Sequence, residues 1–386
     1  VLKKADVDLV ALMDVTWVCD SLKYVFVQEM KRPVLLWAVP YTETFSIGCV
    51  QNFGSALTTA KIRYEYVYGL PSEAAVIEKV HRVATAAQIV RKFSNLRIAV
   101  LGPRQTFRVA GPQDMSIEEW EFSRTLGPTI LHLDMEVLTD AADAITDADA
   151  VKTLSALKDR TGKTLCSESC MIRMAKLYMA AKAFVEKNGI DVIAAECYPL
   201  YSGLLNQTSS WLEDDGYVVD TEGDVANAVL KYMLNMASCG GTCALGEAGS
   251  FDDIANFLSV AHEGSTPVSM AASLDEVQIS PSGDNCFVGF PVKAMEHCTI
   301  CDFQGSAGRY QMLIATGSVL PASHEEWVSG GEKQLIKLRF DNVLPSQAVD
   351  TMLHAGLHHH LVVKEGNLTE VMKMACAYLG IEIVHI

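Results

Sequence analysis

One stretch of the sequence, residues 217–247, constrains the possible fold most. It opens with a short apolar run ending at Glu222, continues as a helix-like segment rich in Ala, Leu and Met, and returns through two glycines into a second apolar run ending at Glu247. This pattern predicts a strand–helix–strand unit with an acid at the end of each strand. Because ligands bind beyond the carboxyl ends of strands in an open parallel sheet, we expect both acids to face one site.

The rest of the chain extends this pattern. Apolar strand-like runs alternate with helix-like segments up to about residue 250, which is typical of parallel sheets wrapped by helices. We therefore predict an α/β protein with two doubly wound parallel-sheet (flavodoxin/Rossmann-like) domains, residues 1–94 and 95–250, the second carrying the carboxylates. Shorter apolar runs with more Ser, Gly and Pro predict a β-rich C-terminal domain, residues 251–386. Because the chain begins with Val1 rather than Met, a truncated start of the first domain is an expectation.

The composition of the chain limits the classes of partner that it can bind. The 386 residues carry a formal net charge of -16, which argues against nucleic acid and anionic membranes. No apolar run approaches the roughly 20 residues that span a bilayer. The 11 cysteines are scattered rather than arranged as a disulfide framework, as in a reducing cytoplasm. We therefore expect a soluble, cytoplasmic protein whose partners are neither nucleic acid nor a membrane.

The leading candidate for a reactive site combines Glu222 and Glu247 with His358, His359 and His360. Carboxylate oxygen and imidazole nitrogen together suit a divalent cation such as Mn²⁺, Mg²⁺ or Co²⁺. If the histidines lie in a strand, His358 and His360 share one face, so at most two of the three reach the same ion. The alternative is that each acid only caps a helix.

A third predicted strand, residues 191–196, also ends in an acid, Glu196, followed by Cys197 and Tyr198. We expect these three residues to line a substrate pocket. In the loop after another predicted strand, Arg104, Arg108 and Gln113 are candidates for binding an anionic or polyhydroxylated group. The alternative for the arginines is an ordinary place on a surface loop. The sequence contains neither a P-loop nor a G-x-G-x-x-G fingerprint, so no nucleotide is implied.

Cysteines offer a rival metal site. Cys298 and Cys301, and likewise Cys166 and Cys170, have ligand-like spacing, and a zinc ribbon would require the two pairs to meet. We expect core thiols instead, with Cys166 and Cys170 one turn apart on a helix. Two isolated histidines, His132 and His262, are expected to be structural.

Three segments carry a resemblance to a known family. Residues 217–247 resemble the metal-binding segment of the L-arabinose and L-fucose isomerases, where a strand ends in a Glu-Gly-Asp type turn and a second acid follows a Gly-rich strand entry. Residues 358–384 resemble that family's C-terminal segment, in which a histidine ligand leads a strand. Residues 95–111 look like the start of its second domain.

The resemblance implies a fold of two α/β domains and one β-rich domain, and a Mn²⁺ or similar ion bound by Glu222, Glu247 and His360. Glu247 matches only with a one-residue offset, and a register slip would place His359 or His358 at the histidine position. Otherwise His358 and His359 are expected to contact substrate. The further histidine ligand of arabinose isomerases has no clear counterpart, which favours the three-ligand pattern of fucose isomerases.

The implied reaction converts an open-chain aldose to a ketose through a cis-enediol. The cation would polarise the substrate carbonyl, while Glu222 and Glu247 would act as base and acid. The family also implies a homo-oligomer, a hexamer or trimer. Arg104 and Arg108 favour a sulfonated or acidic sugar. A lyase or epimerase on the same metal scaffold, and a non-catalytic sugar-binding protein, stay open as alternatives.

Overall fold

The computed structural model describes residues 6–102, 117–197 and 200–386. Four predicted substrate contacts, Arg104, Arg108, Gln113 and Tyr198, lie outside the described residues, so their roles stay predictions. The chain forms two compact units, one of Val1–Lys92 with Glu370–Ile381 and the other of Phe93–Thr369 with Glu382–Ile386.

The first unit is built on a three-stranded parallel sheet in the order β1-β2-β3. The central strand is buried at every position, as expected for an apolar run covered on both faces. Phe53 and Leu57 pack against it from a neighbouring helix. The elements of this part of the chain are β1 (Val10–Asp14), α1 (Asp20–Met30), β2 (Val34–Ala38), α2 (Ser46–Thr59), β3 (Tyr64–Tyr68) and α3 (Ala74–Phe93).

The second unit contains a four-stranded parallel sheet in the order β5-β4-β7-β8. The predicted α/β alternation is confirmed here too, since a helix separates most successive strands. The elements are β4 (Arg97–Leu101), α4 (Glu119–Leu126), β5 (Thr129–Leu133), α5 (Glu136–Asp143), α6 (Asp147–Leu157), β6 (Lys163–Thr164), α7 (Glu168–Asn188), β7 (Val192–Ala195), α8 (Asn206–Asp214), β8 (Val218–Asp220) and α9 (Val225–Ala237).

A ten-stranded, mainly antiparallel sheet completes the second unit, in the order β17-β14-β13-β16-β9-β10-β15-β12-β11-β6. Because β14 also pairs with β15, the six strands from β14 to β15 form a closed ring. The remaining elements of this unit are β9 (Ala244–Asp252), β10 (Phe257–His262), β11 (Gln278–Ser282), β12 (Asn285–Pro291), β13 (Met295–Ser306), β14 (Arg309–Leu320), α10 (His324–Ser329), β15 (Gln334–Phe340), α11 (Pro345–Ala355), β16 (His360–Glu365) and β17 (Glu382–Val384). Helix α12 (Thr369–Leu379) belongs, except for its first residue, to the first unit.

The predicted fold class is confirmed in its coarse form, as a mixed α/β protein with parallel sheets and a large β-rich sheet. The division into three domains at residues 94 and 250 stays a prediction. Among the described residues, none of the helices combines the length and apolar composition that a membrane crossing requires.

One sequence prediction about the sheets is wrong. Glu222 follows β8 of the parallel sheet, but Glu247 lies within β9, which pairs antiparallel with β10 and β16 in the large sheet. The two acids therefore do not end strands of one parallel sheet. The return through Gly240 and Gly241, both at positive φ, leads the chain out of the parallel sheet and into the antiparallel one.

Candidate metal centre

Four side chains of the second unit, one from the turn after β8 and one each from β9, β10 and β16, converge at one point. They are Glu222, Glu247, His262 and His360, and their ligand-type atoms all lie within 4.8 Å of one another. The histidines are buried, while the two glutamates are half-buried. The cluster is therefore closed on its imidazole side and reaches solvent on its carboxylate side.

A tight turn after β8 positions Glu222. The Asp220 carboxylate accepts backbone hydrogen bonds from Glu222 at 2.9 Å and from Asp224 at 2.8 Å. Gly223, between them, has φ +76, and a Cβ there would lie 2.8 Å from Cγ of Glu196. Only glycine combines this left-handed conformation with so close a neighbour. The turn directs Glu222 into the cluster and lets Asp224 begin α9.

Strand pairing positions the second carboxylate and the first histidine. Glu247 on β9 lies directly opposite His360, the first residue of β16. Residues directly opposite in an antiparallel pair point to the same face, so the two side chains meet without any loop between them. Their closeness is thus fixed by the register of the large sheet.

His262 is the member of the cluster that the sequence analysis missed. It ends β10, and its Nδ1 lies 3.0 Å from the carbonyl oxygen of Gly264. The loop that follows is held to the end of β8, because the Thr221 backbone N–H donates to Oγ of Ser265 at 3.0 Å. This link brings Nε2 of His262 to 3.5 Å from Glu222. The expectation that His262 stands alone is therefore wrong, because His262 lies in the cluster.

Both imidazoles are oriented in the same way. Nδ1 of His360 lies 3.0 Å from Oδ2 of Asp224, and Nδ1 of His262 is held by a carbonyl oxygen, so in each ring the Nδ1–H donates outward. The Nε2 atoms of both rings are buried and have no hydrogen-bond partner among the described residues. Metal-bound histidines show this arrangement, in which the outer nitrogen fixes the tautomer and the inner one keeps its lone pair.

The donor set fits a divalent cation. Two carboxylates and two imidazole nitrogens suit Mn²⁺ or Co²⁺, provided that each Nε2 is deprotonated when the ion binds. The Nε2 atoms of both histidines have no hydrogen-bond partner among the described residues and are otherwise costly to bury. A substrate would approach a bound ion from the carboxylate side, because that side is open to solvent.

The charges of the cluster are strongly coupled. Burial alone would raise the pKa of Glu222, but its close contact with the His262 imidazole, together with His360 and His359 nearby, lowers it to about 2. Burial alone would lower the pKa of His360, but the hydrogen bond and charge of Asp224 raise it to about 9. Without a cation, the cluster therefore holds a proton on His360 and a negative charge on Glu222 at neutral pH.

A layer of buried acids and amides lies behind the histidine. Asp224 accepts a hydrogen bond from the Asn227 side chain at 2.7 Å, and Asn227 also donates to Asp302 at 3.3 Å. Burial and the charge of Asp224 raise the pKa of Asp302 to about 8. Burial and Asp224 likewise raise the pKa of Asp220 to about 6. These groups fix the orientation of His360 and of the turn that carries Glu222.

The other predicted pocket residues lie at various distances from the cluster. Glu196 is buried and its side chain abuts Gly223, directly beside Glu222. Cys197 is buried, and burial raises the pKa of its thiol to about 12, so it is a neutral side chain. The His359 ring centroid is 4.5 Å from that of His360. His358 precedes β16 and lines a separate cavity with Gln304.

Three further sequence expectations are tested by the structure. The triple histidine does not form one strand, since β16 begins only at His360, and the face-sharing argument for His358 and His360 therefore does not apply. His132 forms an ion-pair contact with Glu119 and lies outside the cluster. The two predicted cysteine pairs do not meet: Cys166 and Cys170 instead gather around Cys286.

Comparisons with known proteins find relatives of one kind. No protein-family model matches the chain. It is 20% identical to the sulfoquinovose isomerase of Priestia aryabhattai over 96% of this chain and 83% of the relative. It is 23% identical to the sulfoquinovose isomerase of a Clostridium species over 83% of this chain and 71% of the relative, and 22% identical to that of Alkalicoccus urumqiensis over 81% and 72%. Over most of its length, the chain is therefore similar to sulfoquinovose isomerases.

Proposed function

We propose that this protein is an aldose–ketose isomerase that acts on an anionic, sulfonated sugar. The observation that carries the proposal is the meeting of Glu222, Glu247, His262 and His360 with both buried Nε2 atoms unsatisfied. The similarity to sulfoquinovose isomerases over most of the chain supports the same conclusion and suggests sulfoquinovose as the first substrate to test.

The four residues would hold a divalent cation, Mn²⁺ by preference, with Mg²⁺ or Co²⁺ as alternatives. When bound, the cation would act as a Lewis acid on the substrate oxygens and stabilise developing negative charge. The two histidines would supply nitrogen ligands whose tautomer is already fixed. This extends the three-ligand set expected from the sequence by one residue, His262.

The two carboxylates would move the proton. Isomerisation requires a proton to leave C2 of the open-chain sugar and a proton to reach C1, with a cis-enediol between them. Glu222 and Glu247 lie together on the solvent-accessible side of the cluster, where a substrate carbon can approach both. Positioned acid–base catalysis of this kind contributes roughly 10²- to 10⁴-fold to the rate.

Recognition of the sulfonate requires a cationic or hydrogen-bonding partner. We propose Arg104 and Arg108 for this role, with Gln113, Glu196, Tyr198 and His359 as further contacts to the sugar. We also propose that the protein is related to the L-fucose and L-arabinose isomerases. In the same proposal it is cytoplasmic and forms a homo-oligomer, either a hexamer or a trimer.

The direct test is conversion of sulfoquinovose to its 2-ketose by Mn²⁺-loaded protein, followed by NMR in deuterated water. We expect ketose to form with solvent deuterium at C1, and Glu222→Gln to abolish turnover. The matched control is Glu263→Gln, which removes an exposed carboxylate paired with Lys333 next to His262. A fully active Glu222→Gln variant, or deuterium at other carbons only, would overturn the proposal.

A further inference from the structure

A second cluster of ligand-type atoms lies in the same unit, apart from the candidate metal centre. The Sγ atoms of Cys166, Cys170 and Cys286 are within 4.8 Å of one another. Cys286 is fully buried, and the other two thiols are half-buried. Nothing in the proposed isomerase reaction uses them.

A close backbone approach positions the first thiol. A Cβ on Gly162 would lie 2.2 Å from the carbonyl oxygen of Val277, so only glycine allows the segment before Cys166 to reach β11. Beyond it, the Leu165 N–H donates to the Ile279 carbonyl oxygen at 2.8 Å. These contacts fix Cys166 at the edge of the β11–β12 hairpin.

The other two thiols come from the elements on either side. Cys170 lies in the first turn of α7, where its backbone N–H donates to Oγ of the N-cap residue Ser167 at 3.2 Å. Cys286 lies on β12 opposite Pro281, near the turn of the hairpin. The N-terminus of a 21-residue helix and a buried hairpin strand thus bring two sulfurs to the position of the third.

The three thiols interact with one another. Hydrogen bonding from the Cys286 thiol lowers the pKa of Cys170 to about 6, and the nearby Arg173 contributes in the same direction. The same hydrogen bond lowers the pKa of Cys166. The pKa of Cys286 is raised, because its thiol hydrogen-bonds the other two sulfurs and is buried. The three sulfurs are therefore close enough to share hydrogen bonds, a spacing that fits one bound cation.

We infer that Cys166, Cys170 and Cys286 form a three-sulfur binding site for a thiophilic d¹⁰ cation of the Zn²⁺ class, which ties the start of α7 to the β11–β12 hairpin. Zinc–sulfur bonds of about 2.3 Å in tetrahedral geometry place sulfurs about 3.8 Å apart, within the spread of this cluster. Three converging sulfurs favour a cation over a disulfide, since a disulfide would leave one thiol unused. Because two of the cysteines are half-buried, a cation can reach the cluster from solvent.

The site is chemically distinct from the carboxylate and histidine cluster. Sulfur ligands select soft cations, whereas oxygen-rich sets suit Mn²⁺ and Mg²⁺. One protein would therefore hold two ions of different class, and the sulfur-bound ion would stabilise the fold rather than take part in the reaction.

The test uses Co²⁺ as the probe on the fully reduced, full-length protein. Sulfur-to-cobalt charge transfer gives near-ultraviolet absorption that carboxylate and imidazole ligands do not produce. We expect this band in the wild type and in Glu222→Gln, and its loss in the Cys166→Ser/Cys170→Ser variant with an unchanged circular dichroism spectrum. The control is Cys239→Ser, which removes an exposed thiol and should retain the band. Absence of the band from the wild type, or its persistence in the double variant, would overturn the inference.

A second measurement needs no variant. At a Zn²⁺ concentration 100 times Kd, about one site in a hundred is free, so modification of the three thiols by a cysteine reagent should slow about 100-fold. Peptide mass spectrometry identifies which cysteines are protected. Equal modification rates with and without Zn²⁺, or protection of other cysteines only, would contradict the site.

Discussion

Asp224 joins the start of α9 to the imidazole of His360: its Oδ2 lies 3.0 Å from Nδ1 of that histidine, while its Oδ1 accepts the backbone N–H of Asn227, also at 3.0 Å. One buried carboxylate therefore caps a helix of the α/β region and orients a side chain of the large sheet. This contact links the two sheets at the candidate metal centre, because β8 leads into Asp224 and β16 begins at His360.

The first prediction concerns this contact. Asp224→Asn keeps a good helix N-cap and a hydrogen-bond acceptor but removes the charge that makes His360 a strong ligand. Mutation of such outer partners typically costs about 10- to 100-fold in metal affinity, and we expect a loss of that size for Mn²⁺ by isothermal titration. Asp147→Asn, which removes an exposed carboxylate of α6, is the control. Unchanged affinity in Asp224→Asn would show that the contact does not tune the ligand.

The second prediction concerns pH. The pKa of His360 is raised to about 9 by Asp224, against the effect of burial, so a cation must displace a proton at lower pH. Mn²⁺ affinity should therefore rise about tenfold per pH unit up to about pH 9 and then level off. Calorimetry in buffers of different ionisation heats should detect close to one proton released per ion at pH 7. Affinity that is flat between pH 6.5 and 8.5 would count against His360 as a ligand.

The third prediction concerns the stability of the metal-free protein. Burial and the charge of Asp224 raise the pKa of Asp302 to about 8, above its ordinary value of 3.8. Between those values the folded state holds a proton that the unfolded state has lost, so this group favours folding less and less as pH rises toward 8. Asp302→Asn removes that dependence and can still accept the Asn227 hydrogen bond. Urea denaturation should show that the free energy of unfolding of the variant, relative to that of the wild type, increases as pH rises from 4 to 8. If the free energies of unfolding of the two proteins change with pH in parallel, Asp302 does not have this effect on stability.

The fourth prediction separates backbone strain from a close contact. Gly223→Ala places a Cβ 2.8 Å from Glu196 at a positive φ, whereas Gly216→Ala meets a positive φ with nothing within 4 Å. Strain alone costs about 1–3 kcal/mol. Both variants should lose unfolding free energy, but only Gly223→Ala should also lose Mn²⁺ affinity, because its clash displaces Glu222. Equal effects on metal affinity in the two variants would contradict the role of this turn.

Local pattern predicted most of the elements. Helices such as α7 (Glu168–Asn188), with Ser167 as its N-cap, and buried strands such as β7 (Val192–Ala195) follow from periodicity and capping, which act over a few residues. The partnership of Glu222 with Glu247 was also anticipated, but for the wrong reason. Two acids flanking a strand–helix–strand pattern suggest one parallel sheet, and periodicity alone does not reveal that β9 pairs antiparallel with β16.

The position of His262 in the cluster could not be predicted from the sequence. Its placement depends on the pairing of β10 with β9 and on a loop held to β8 by Thr221 and Ser265, neither of which leaves a local signature. The one available signal is a histidine at the end of a predicted strand, just as Glu222 is an acid at the end of one. The cysteine cluster was missed for a similar reason, since Cys286 is far from Cys166 and Cys170 in sequence.

The central claim is that Glu222, Glu247, His262 and His360 bind one catalytic cation. The most direct measurement is a crystal structure of the Mn²⁺-loaded protein with anomalous scattering recorded at the manganese edge. The account predicts one strong anomalous peak between the two carboxylates and the two Nε2 atoms, in protein that converts the sulfonated aldose. An empty cluster in active, metal-loaded crystals, with the manganese bound elsewhere, would contradict it.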